Sequence, residues 1–388
     1  MQSRGVVWGM LITTSLLHAA LEYGVTNTNF TISQPSIDPR DDTEYLYNYN
    51  RLRVRTDYTQ ENYFLTFIGD GVNYLGHDYV TSPSFEYITQ QRSDTPFKTQ
   101  SHYYDYYEGA LYAKLYRLYG GYADEKNSIT LGLQNITMGV GRLWNPTNLF
   151  NPRNTYALEP DEVFGVAALS YIRHLGATTD LRVVVSQKKD HSLKYAASLK
   201  GFLEYGDVAL NLVYSDETVM VGYELEANLA ETGIELRSEG AYIDNRALQE
   251  SPISTAVTEA SFFQGIVGGD YGFENGVSLV VEALYSSKAF SYEQVLANLD
   301  SEVLPNLVLS QFYVGTGITY TFNLFWEGSL TYIESFNEEN SRFITPVLTY
   351  SVNDYNTLSL GAMIQSGPRG SEFGMFDNSY YLRYELSF

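Results

Sequence analysis

Residues 139–154 form the most specific group of side chains in this chain that could recognise a solute. They read G-V-G-R-L-W-N-P-T-N-L-F-N-P-R-N. Each Asn-Pro pair enforces a turn and prevents a regular strand. The rings need burial, whereas the amide and guanidinium groups can donate hydrogen bonds to polar molecules. The residues that could contact a solute are Arg142, Trp144, Asn145, Asn148, Asn151 and Arg153. A packed structural loop without solute contact is the alternative interpretation.

Residue types that perform catalysis or bind metals are sparse and show no recognisable spacing. The chain has no cysteine, which removes thiolate metal sites and cysteine nucleophiles. None of the five histidines belongs to an H-x-x-x-H pair. Residues 69–78, G-D-G-V-N-Y-L-G-H-D, lack the spacing and closing Glu of an EF-hand loop. We therefore expect no enzyme, no metal and no cofactor, although a Ser-His-Asp set assembled from distant loops stays open.

The acidic balance of the chain narrows its partners. Its 388 residues carry a formal net charge of −22, with 24 Lys and Arg against 46 Asp and Glu. Nucleic acid is bound by clustered Lys and Arg, and no basic stripe is apparent, so no nucleic-acid partner is expected. The length fits about two or three soluble domains or one large barrel.

Apolar and polar residues alternate with a period of two along almost the whole chain. The strands that this alternation predicts must position the residues named above. In one segment, Val221 and Leu225 alternate with Glu224 and Glu226. Segments of about ten residues with this alternation, separated by turn residues, are typical of strands that cross a membrane. One face would contact lipid and the other would line a hydrated lumen. The charges predicted for the lumen face are Arg182, Glu224, Glu226, Glu235, Arg237, Glu282, Arg383 and Glu385.

The lengths of the connections favour a closed barrel. Seventeen candidate strands can be placed from residue 45 to residue 388, one of them at 103–118. When these candidate strands are numbered in chain order, every long connection follows an even-numbered strand. The long connections are at residues 71–102, 139–163, 243–258, 288–309 and 367–377. Barrels segregate long loops and short turns in this way and normally have an even number of strands. A further strand at residues 21–33 is therefore predicted, for a total of about 18, with 16 as the alternative. It should pair with residues 379–388 and so close the barrel. A soluble β-helix or propeller would show a fixed repeat, which is not visible.

Residues 1–20 have the pattern of a secretory signal peptide. Arg4 supplies the positive charge, residues 6–17 are largely apolar, and Ala19 and Ala20 are small enough for a cleavage site. The apolar run is too short to span a membrane as a helix. We predict a signal peptide over residues 1–20 and one barrel over residues 21–388. An N-terminal anchor or a buried helix is the alternative.

The last ten residues, S-Y-Y-L-R-Y-E-L-S-F, resemble the closing strand of Gram-negative outer-membrane barrels. This resemblance implies an all-β fold: a transmembrane, antiparallel, up-and-down β-barrel with long extracellular loops and short periplasmic turns. In that family the closing strand is also read by the barrel-assembly machinery. The residues of this chain predicted to form the assembly signal are Tyr380, Leu382, Tyr384, Leu386 and Phe388.

The segment that begins at Gly139 also resembles a G-x-G-R…W-N-P-T-D-L-F-N-P stretch found in a group of proteobacterial outer-membrane barrels. This chain differs from it by having Asn148 in place of Asp. The segment lies in the third long outer connection of an 18-stranded barrel. The third loop of general porins folds into the lumen and narrows it, and by analogy we expect the same constriction here.

These patterns together predict a porin-like channel in the bacterial outer membrane for passive diffusion of small hydrophilic solutes or ions. The acidic excess predicts a preference for cations, although acidic outer loops that bind divalent ions and lipopolysaccharide would explain it equally. The expected partners are outer-membrane lipid, lipopolysaccharide, the assembly machinery during biogenesis and the solutes. The alternative is a non-conducting barrel that serves as an envelope-complex partner, a surface attachment platform or a lipid or polymer export conduit. The oligomeric state is left open.

Overall fold

The computed structural model of the protein describes residues 19–36, 41–90, 93–254, 256–337, 340–375 and 377–388. The predicted signal peptide, residues 1–20, lies outside the described residues except for Ala19 and Ala20, which open the first strand.

Almost all regular structure in the described residues is strand. The strands are β1 (Ala19–Pro35), β2 (Glu44–Gln60), β3 (Tyr63–Leu75), β4 (Gln100–Tyr106), β5 (Gly109–Ala123), β6 (Asn127–Gln134), β7 (Val166–His174), β8 (Thr179–Gln187), β9 (Leu193–Leu203), β10 (Gly206–Tyr214), β11 (Thr218–Asn228), β12 (Glu235–Gln249), β13 (Val257–Gly272), β14 (Val277–Ser286), β15 (Phe312–Thr321), β16 (Trp326–Phe336), β17 (Ser341–Asn353), β18 (Asn356–Ser366) and β19 (Ser379–Ser387). The helices are α1 (His77–Val80), α2 (Pro83–Gln90), α3 (Tyr292–Ala297) and a 3₁₀ turn, Leu304–Asn306.

The sheet closes on itself through its first and last strands. β1 pairs with β2 on one side and, antiparallel, with β19 on the other, in a register from Thr26 opposite Ser387 to Ser33 opposite Tyr380. Such closure pairs the backbone groups of both edge strands, which an open sheet would leave unpaired. The predicted additional strand at residues 21–33 and its pairing with the C-terminal segment are thereby confirmed.

The closed barrel has eighteen strands, and β4 is a side strand. β5 pairs with β3 along its whole length, and its first residues pair on their other side with β4. Farther along, β5 pairs with β6, so the wall runs directly from β3 to β5 and β6. The candidate strand at residues 103–118 is therefore wrong in detail. A turn at Tyr107 and Glu108 divides it into the β4–β5 hairpin, because alternation on both sides of a two-residue turn reads as one continuous strand.

The two ends of the barrel differ in their connections, as the sequence predicted. At one end every turn is short, and the longest covers residues 229–234. The other end carries the long connections at residues 76–108, 135–165, 287–311 and 367–378. The predicted long connection at residues 243–258 is wrong, because β12 continues to Gln249 and β13 already starts at Val257. Phe388 lies at the short-turn end, where its backbone bonds with Val25 in both directions.

The two faces of the wall differ in polarity. On β11, Val221 on the outer face is 56% exposed, whereas Met220 on the inner face is fully buried and Glu224 is 9% exposed. Leucine, valine and aromatic side chains dominate the exposed outer face. An apolar outer face on a closed barrel is the surface that suits membrane hydrocarbon. Among the described residues, no helix is long and apolar enough to cross a membrane.

The hydrophobic core lies inside the barrel, between the wall and the long connections that fold inward. Ile136 and Leu149 from the connection at residues 135–165 pack with Met220 and Ile243 of the wall. A second cluster joins Tyr79, from the connection at residues 76–108, to wall residues such as Phe30 and Tyr47. The long connections therefore fill much of the lumen near their end of the barrel.

Candidate channel constriction

The connection at residues 135–165, called the inner loop below, is bound to inward-facing residues on several parts of the wall. Its residues 139–149 bond with β9, β11, β12 and β14. Its residues 159–163 bond with β2 and β5. The inner loop therefore lies within the lumen and contacts walls that are far apart around the barrel.

Glu239 of β12 holds the first part of the inner loop. Its carboxylate accepts hydrogen bonds from the backbone N–H groups of Val140 at 2.8 Å, Gly141 at 3.1 Å and Thr147 at 2.8 Å. The hydroxyl of Thr147 donates a fourth bond at 2.7 Å. Bonds from backbone N–H to a carboxylate are about twice as strong as neutral ones, which offsets the burial of this charge.

Glu282 and Glu224 extend this attachment to both sides of Glu239. Glu282 of β14 accepts the N–H groups of Arg142, Leu143 and Trp144 at 2.9–3.0 Å. Glu224 of β11 accepts the N–H of Gly139 at 2.7 Å. These three residues, called the wall carboxylates below, bind a run of consecutive backbone N–H groups much as an anion is bound in a loop of backbone amides.

The two glycines of G-V-G-R are explained by this attachment. Gly139 has φ of +92°, and a Cβ there would lie 2.5 Å from a Glu239 oxygen. A Cβ on Gly141 would lie 1.8 Å from the carbonyl oxygen of Trp144. Any side chain at either position would push the backbone away from the carboxylates.

Three of the four asparagines of the motif, Asn145, Asn148 and Asn151, form hydrogen bonds within the inner loop. Asn145 donates to the carbonyl of Gly141 at 2.9 Å. Asn148 accepts from the N–H of Asn151 at 3.1 Å and donates to the Asn151 carbonyl at 2.8 Å. Asn151 in turn accepts from the N–H of Ile136 at 2.6 Å. Asn148 and Asn151 are both 3% exposed, so their side chains stabilise the turn. An Asp at position 148 would lose the donated bond, which accounts for an amide at this position.

Trp144 is fixed by aromatic neighbours. Its indole N–H donates to the Tyr156 hydroxyl at 3.0 Å, and its ring centroid lies 6.0 Å from that of Tyr313. Gly315 on β15 leaves room for this packing, because a Cβ there would lie 2.2 Å from Leu143. The indole therefore anchors the inner loop against β15.

Arg142 and Arg153 are the charged side chains of the motif, and both reach accessible space. The Arg142 side chain is 47% exposed and lies 3.4 Å from Asp270 and 3.6 Å from Glu235. Arg153 donates to the Arg142 carbonyl at 2.7 Å and lies 3.3 Å from Asp161. These guanidinium groups and their carboxylate partners are the part of the candidate site that could meet a passing ion.

The second part of the inner loop is held by ion pairs between side chains. Glu159 forms two bonds with Arg51, at 2.9 and 2.8 Å. Glu162 forms two with Arg53, at 2.8 and 2.9 Å, and Arg53 also binds Asp70. Burial raises the pKa of Glu159, and Arg51 offsets this only in part. Burial opposes ionisation of Glu162 as well, but its hydrogen bonds to Arg53 and the charges of both arginines hold its pKa below the usual value.

The remaining residues predicted for the lumen face occupy varied surroundings. Arg182 donates to the Thr137 carbonyl of the inner loop at 3.1 Å, and Arg237 is buried beside Asp270. Arg383 pairs with Glu385, and its guanidinium lies 5.6 Å from the centroid of the Phe30 ring. Glu226 is half-buried. On the C-terminal strand, Tyr380, Leu382 and Phe388 are exposed, and Tyr384 and Leu386 are half-buried.

Sequence reasoning missed the arginines of β2. Arg51, Arg53 and Arg55 stand at alternate positions in R-L-R-V-R, and the first two contact the inner loop. Period-two spacing was the available signal, so the expectation of no basic stripe was wrong for this short row.

Lys114 of β5 was also missed by the sequence reasoning. Its ammonium lies 5.2 Å from the Phe164 ring centroid, and no described carboxylate lies within 4 Å of it. In the described part of the chain no group of three or more His, Asp or Glu could hold a metal ion.

Known proteins resemble this chain in fold and hardly at all in sequence. No protein-family model matches the chain, and a search of curated proteins finds no match. OccAB1 of Acinetobacter baumannii matches with a TM-score of 0.62 and 10% identity, over 95% of this chain and 96% of that one. OccK9 (OpdG) of Pseudomonas aeruginosa matches with a TM-score of 0.58 and 13% identity, over 96% of this chain and 99% of that one. A BenF-like porin from Pseudomonas fluorescens Pf-5 matches with a TM-score of 0.58 and 10% identity, over 95% of this chain and 99% of that one. The chain thus has the fold of these proteins along nearly its whole length.

Proposed function

We propose that this protein is a porin-like channel of the bacterial outer membrane through which small hydrophilic solutes or ions diffuse passively. The proposal assigns no catalytic step and no energy source to the chain. It draws support from the closed barrel, the apolar outer face and the similarity in fold to porins.

The observation that carries the proposal is a set of accessible charges of both signs inside the barrel. The side chains of Arg142, Glu235 and Asp270 are 47%, 36% and 22% exposed beside the inner loop. Exposed charges within a barrel require water around them, because an ion in a dry interior is strongly unfavourable. Water at the level of the inner loop is what a path for hydrophilic solutes needs.

Orientation follows from the difference between the two ends. Long loops face the outside in bacterial barrels and short turns face the periplasm. Phe388 would then lie on the periplasmic side, and the exposed part of β19 would be available to the assembly machinery. The chain would reach the periplasm by means of its signal peptide and contact lipid and lipopolysaccharide through its outer face.

The inner loop is the proposed constriction, with Arg142 and Arg153 facing the path. Trp144, Asn145, Asn148 and Asn151 would act indirectly, by fixing the loop. We further infer that the G-x-G-R motif marks a group of barrels that share this attachment, since both glycines are needed for contact with the wall carboxylates.

A preference for cations is the finer part of the proposal. The net charge of −22 would raise the local concentration of cations near the channel mouths. In a potassium chloride gradient, the reversal potential should show that potassium is more permeant than chloride. A reversal potential of the opposite sign would contradict this part alone.

Single-channel recording in planar lipid bilayers tests the channel itself. Purified folded protein should produce defined conductance steps, and heat-unfolded protein at the same concentration should not. Folded protein that inserts without conductance would contradict the proposal. That result, with partners recovered by crosslinking, would favour a non-conducting barrel in an envelope complex.

A further inference from the structure

A cavity of about 530 Å³ opens at the long-loop end of the lumen, apart from the wall carboxylates. Its sides are the inner loop, the ends of β7, β8 and β9 nearest the long loops, and the connections at residues 76–108 and 287–311. This volume lies within the range of about 300–1,000 Å³ that holds small-molecule ligands. The cavity is therefore large enough to hold one sugar-sized molecule on the way to the inner loop.

Three aromatic rings line the cavity. Tyr87 of α2 is 40% exposed, Phe164 of the inner loop is 38% exposed, and Phe150 is half-buried. Aromatic faces of this kind offer flat contact surfaces with a negative potential, which suits the polarised C–H groups of a ring-shaped solute. The Phe164 ring centroid lies 5.2 Å from the Lys114 ammonium and that of Phe150 lies 5.1 Å from the Lys194 ammonium, so a solute would meet the remaining accessible parts of these rings and the exposed Tyr87.

The charged groups around the cavity are largely paired with each other. The ammonium of Lys189 lies 2.9 Å from Asp300, and that of Lys194 lies 2.8 Å from Glu302. Asp94 accepts a bond from the backbone N–H of Lys189 at 2.9 Å. An ionic solute would have to compete with these partners. Neutral hydroxyl groups can instead add hydrogen bonds to paired charges without separating them.

The connection at residues 287–311 is held firmly enough to form a wall of this site. Glu302 also accepts a bond from Ser215 of the barrel, and its side chain is 2% exposed. Asn306 donates to the carbonyl of Pro146 at 3.1 Å, which joins this connection to the inner loop. The cavity is thus bounded by fixed groups on two sides.

We propose that this cavity is a binding site for a neutral saccharide of about one or two rings. The inference rests on the proposed channel and extends it by naming a class of solute. The rings of Tyr87, Phe150 and Phe164 stack against the sugar, and the paired charges of Lys189 and Asp300 bind its hydroxyl groups.

Saturation-transfer NMR on folded protein in detergent micelles tests the site without requiring conduction. The probes are glucose, glucosamine and glucuronate, which share a six-membered sugar ring, are similar in size and differ in charge. We expect saturable binding that is tightest for glucose. Tyr87→Ala should weaken the affinity by about threefold to tenfold, since one stacked ring contributes roughly that much. Phe164→Leu, which keeps apolar volume and removes the ring, should weaken it similarly.

Tyr107→Ala is the matched control, because Tyr107 is an exposed tyrosine of the same connection as Tyr87 and does not line the cavity. Circular dichroism verifies that each variant is folded. The saccharide site is overturned if glucose does not bind saturably, if the control weakens binding as much as Tyr87→Ala, or if a charged probe binds more tightly than glucose. Conductance without glucose binding would contradict the saccharide site and leave the proposed channel standing. Glucose binding without conductance would contradict the channel and leave the saccharide site standing.

Discussion

The two parts of the inner loop are attached to the barrel by different chemistry. Residues 139–147 offer backbone N–H groups to Glu224, Glu239 and Glu282 of the wall. Residues 159–162 offer carboxylate side chains to Arg51 and Arg53. The first attachment depends on the backbone path and on the wall, whereas the second depends on the identity of the loop residues. Removing a loop charge should therefore be tolerated in the first part, at Arg142, and disruptive in the second, at Glu159 or Glu162.

Deleting residues 144–151 should have the largest effect, because it removes the anchor on β15, one side of the Glu239 attachment and the bulk of the proposed constriction. We expect a clear rise in single-channel conductance in planar bilayers. Unchanged conductance in a variant that still forms a closed barrel would contradict a constricting role for the inner loop.

Glu239→Ala should destabilise the barrel by about 3–5 kcal/mol, since it removes several charge-assisted bonds and leaves buried N–H groups without acceptors. Urea unfolding in lipid vesicles measures this loss. Glu226→Ala is the matched control on the neighbouring strand and should change the free energy of unfolding by less than about 1 kcal/mol. Equal losses for the two variants would show that the attachment to Glu239 is unimportant.

Glu162→Gln should cost about 1–3 kcal/mol, because it removes a charged partner of Arg53. Because the pKa of Glu162 is lowered in the folded protein, its contribution to stability decreases as the pH falls. It is fully present above the usual glutamate pKa of 4.5 and is lost as the pH falls through the lowered value. The difference in unfolding free energy between the native protein and Glu162→Gln should therefore shrink on acidification below about pH 4.5. A difference that stays constant down to pH 3 would rule this out.

Arg142→Ala should have the smallest effect on stability, within about 0.5–1 kcal/mol, because its backbone N–H still binds Glu282 and its side chain is half-exposed. It should nevertheless shift the reversal potential toward cations, since it removes a positive charge from the proposed path. A loss of stability as large as that of Glu239→Ala would break the distinction between the two attachments.

Much of the barrel was predictable from sequence, and the way the inner loop is held was not. Period-two alternation identifies strands because each needs one apolar and one polar environment. The alternation of long and short connections required one more strand and so predicted the pairing of β1 with β19. The β4–β5 hairpin was missed because alternation continues across its turn. The wall carboxylates bind backbone N–H groups, which every residue except proline carries. Gly139 and Gly141 therefore indicate a close approach to the loop backbone, but no loop side chain identifies Glu224, Glu239 or Glu282 as the acceptors. Arg51 and Arg53 could have been found from their spacing, but Glu159 and Glu162 are more than a hundred positions away.

The junction of β1 and β19 has a consequence for the order of folding. Thr28 and Glu385, which bond across it, are 357 positions apart, so this contact has the high loop-closure entropy of a very distant pair. Hairpins between successive strands can form locally, whereas the junction must wait for both chain ends. The inner loop contacts β2 on one side and β14 on the other, and so it connects early and late parts of the chain within the lumen. We expect the inner loop to hold distant parts of the wall together during assembly. This should reduce the conformational entropy lost when β1 pairs with β19.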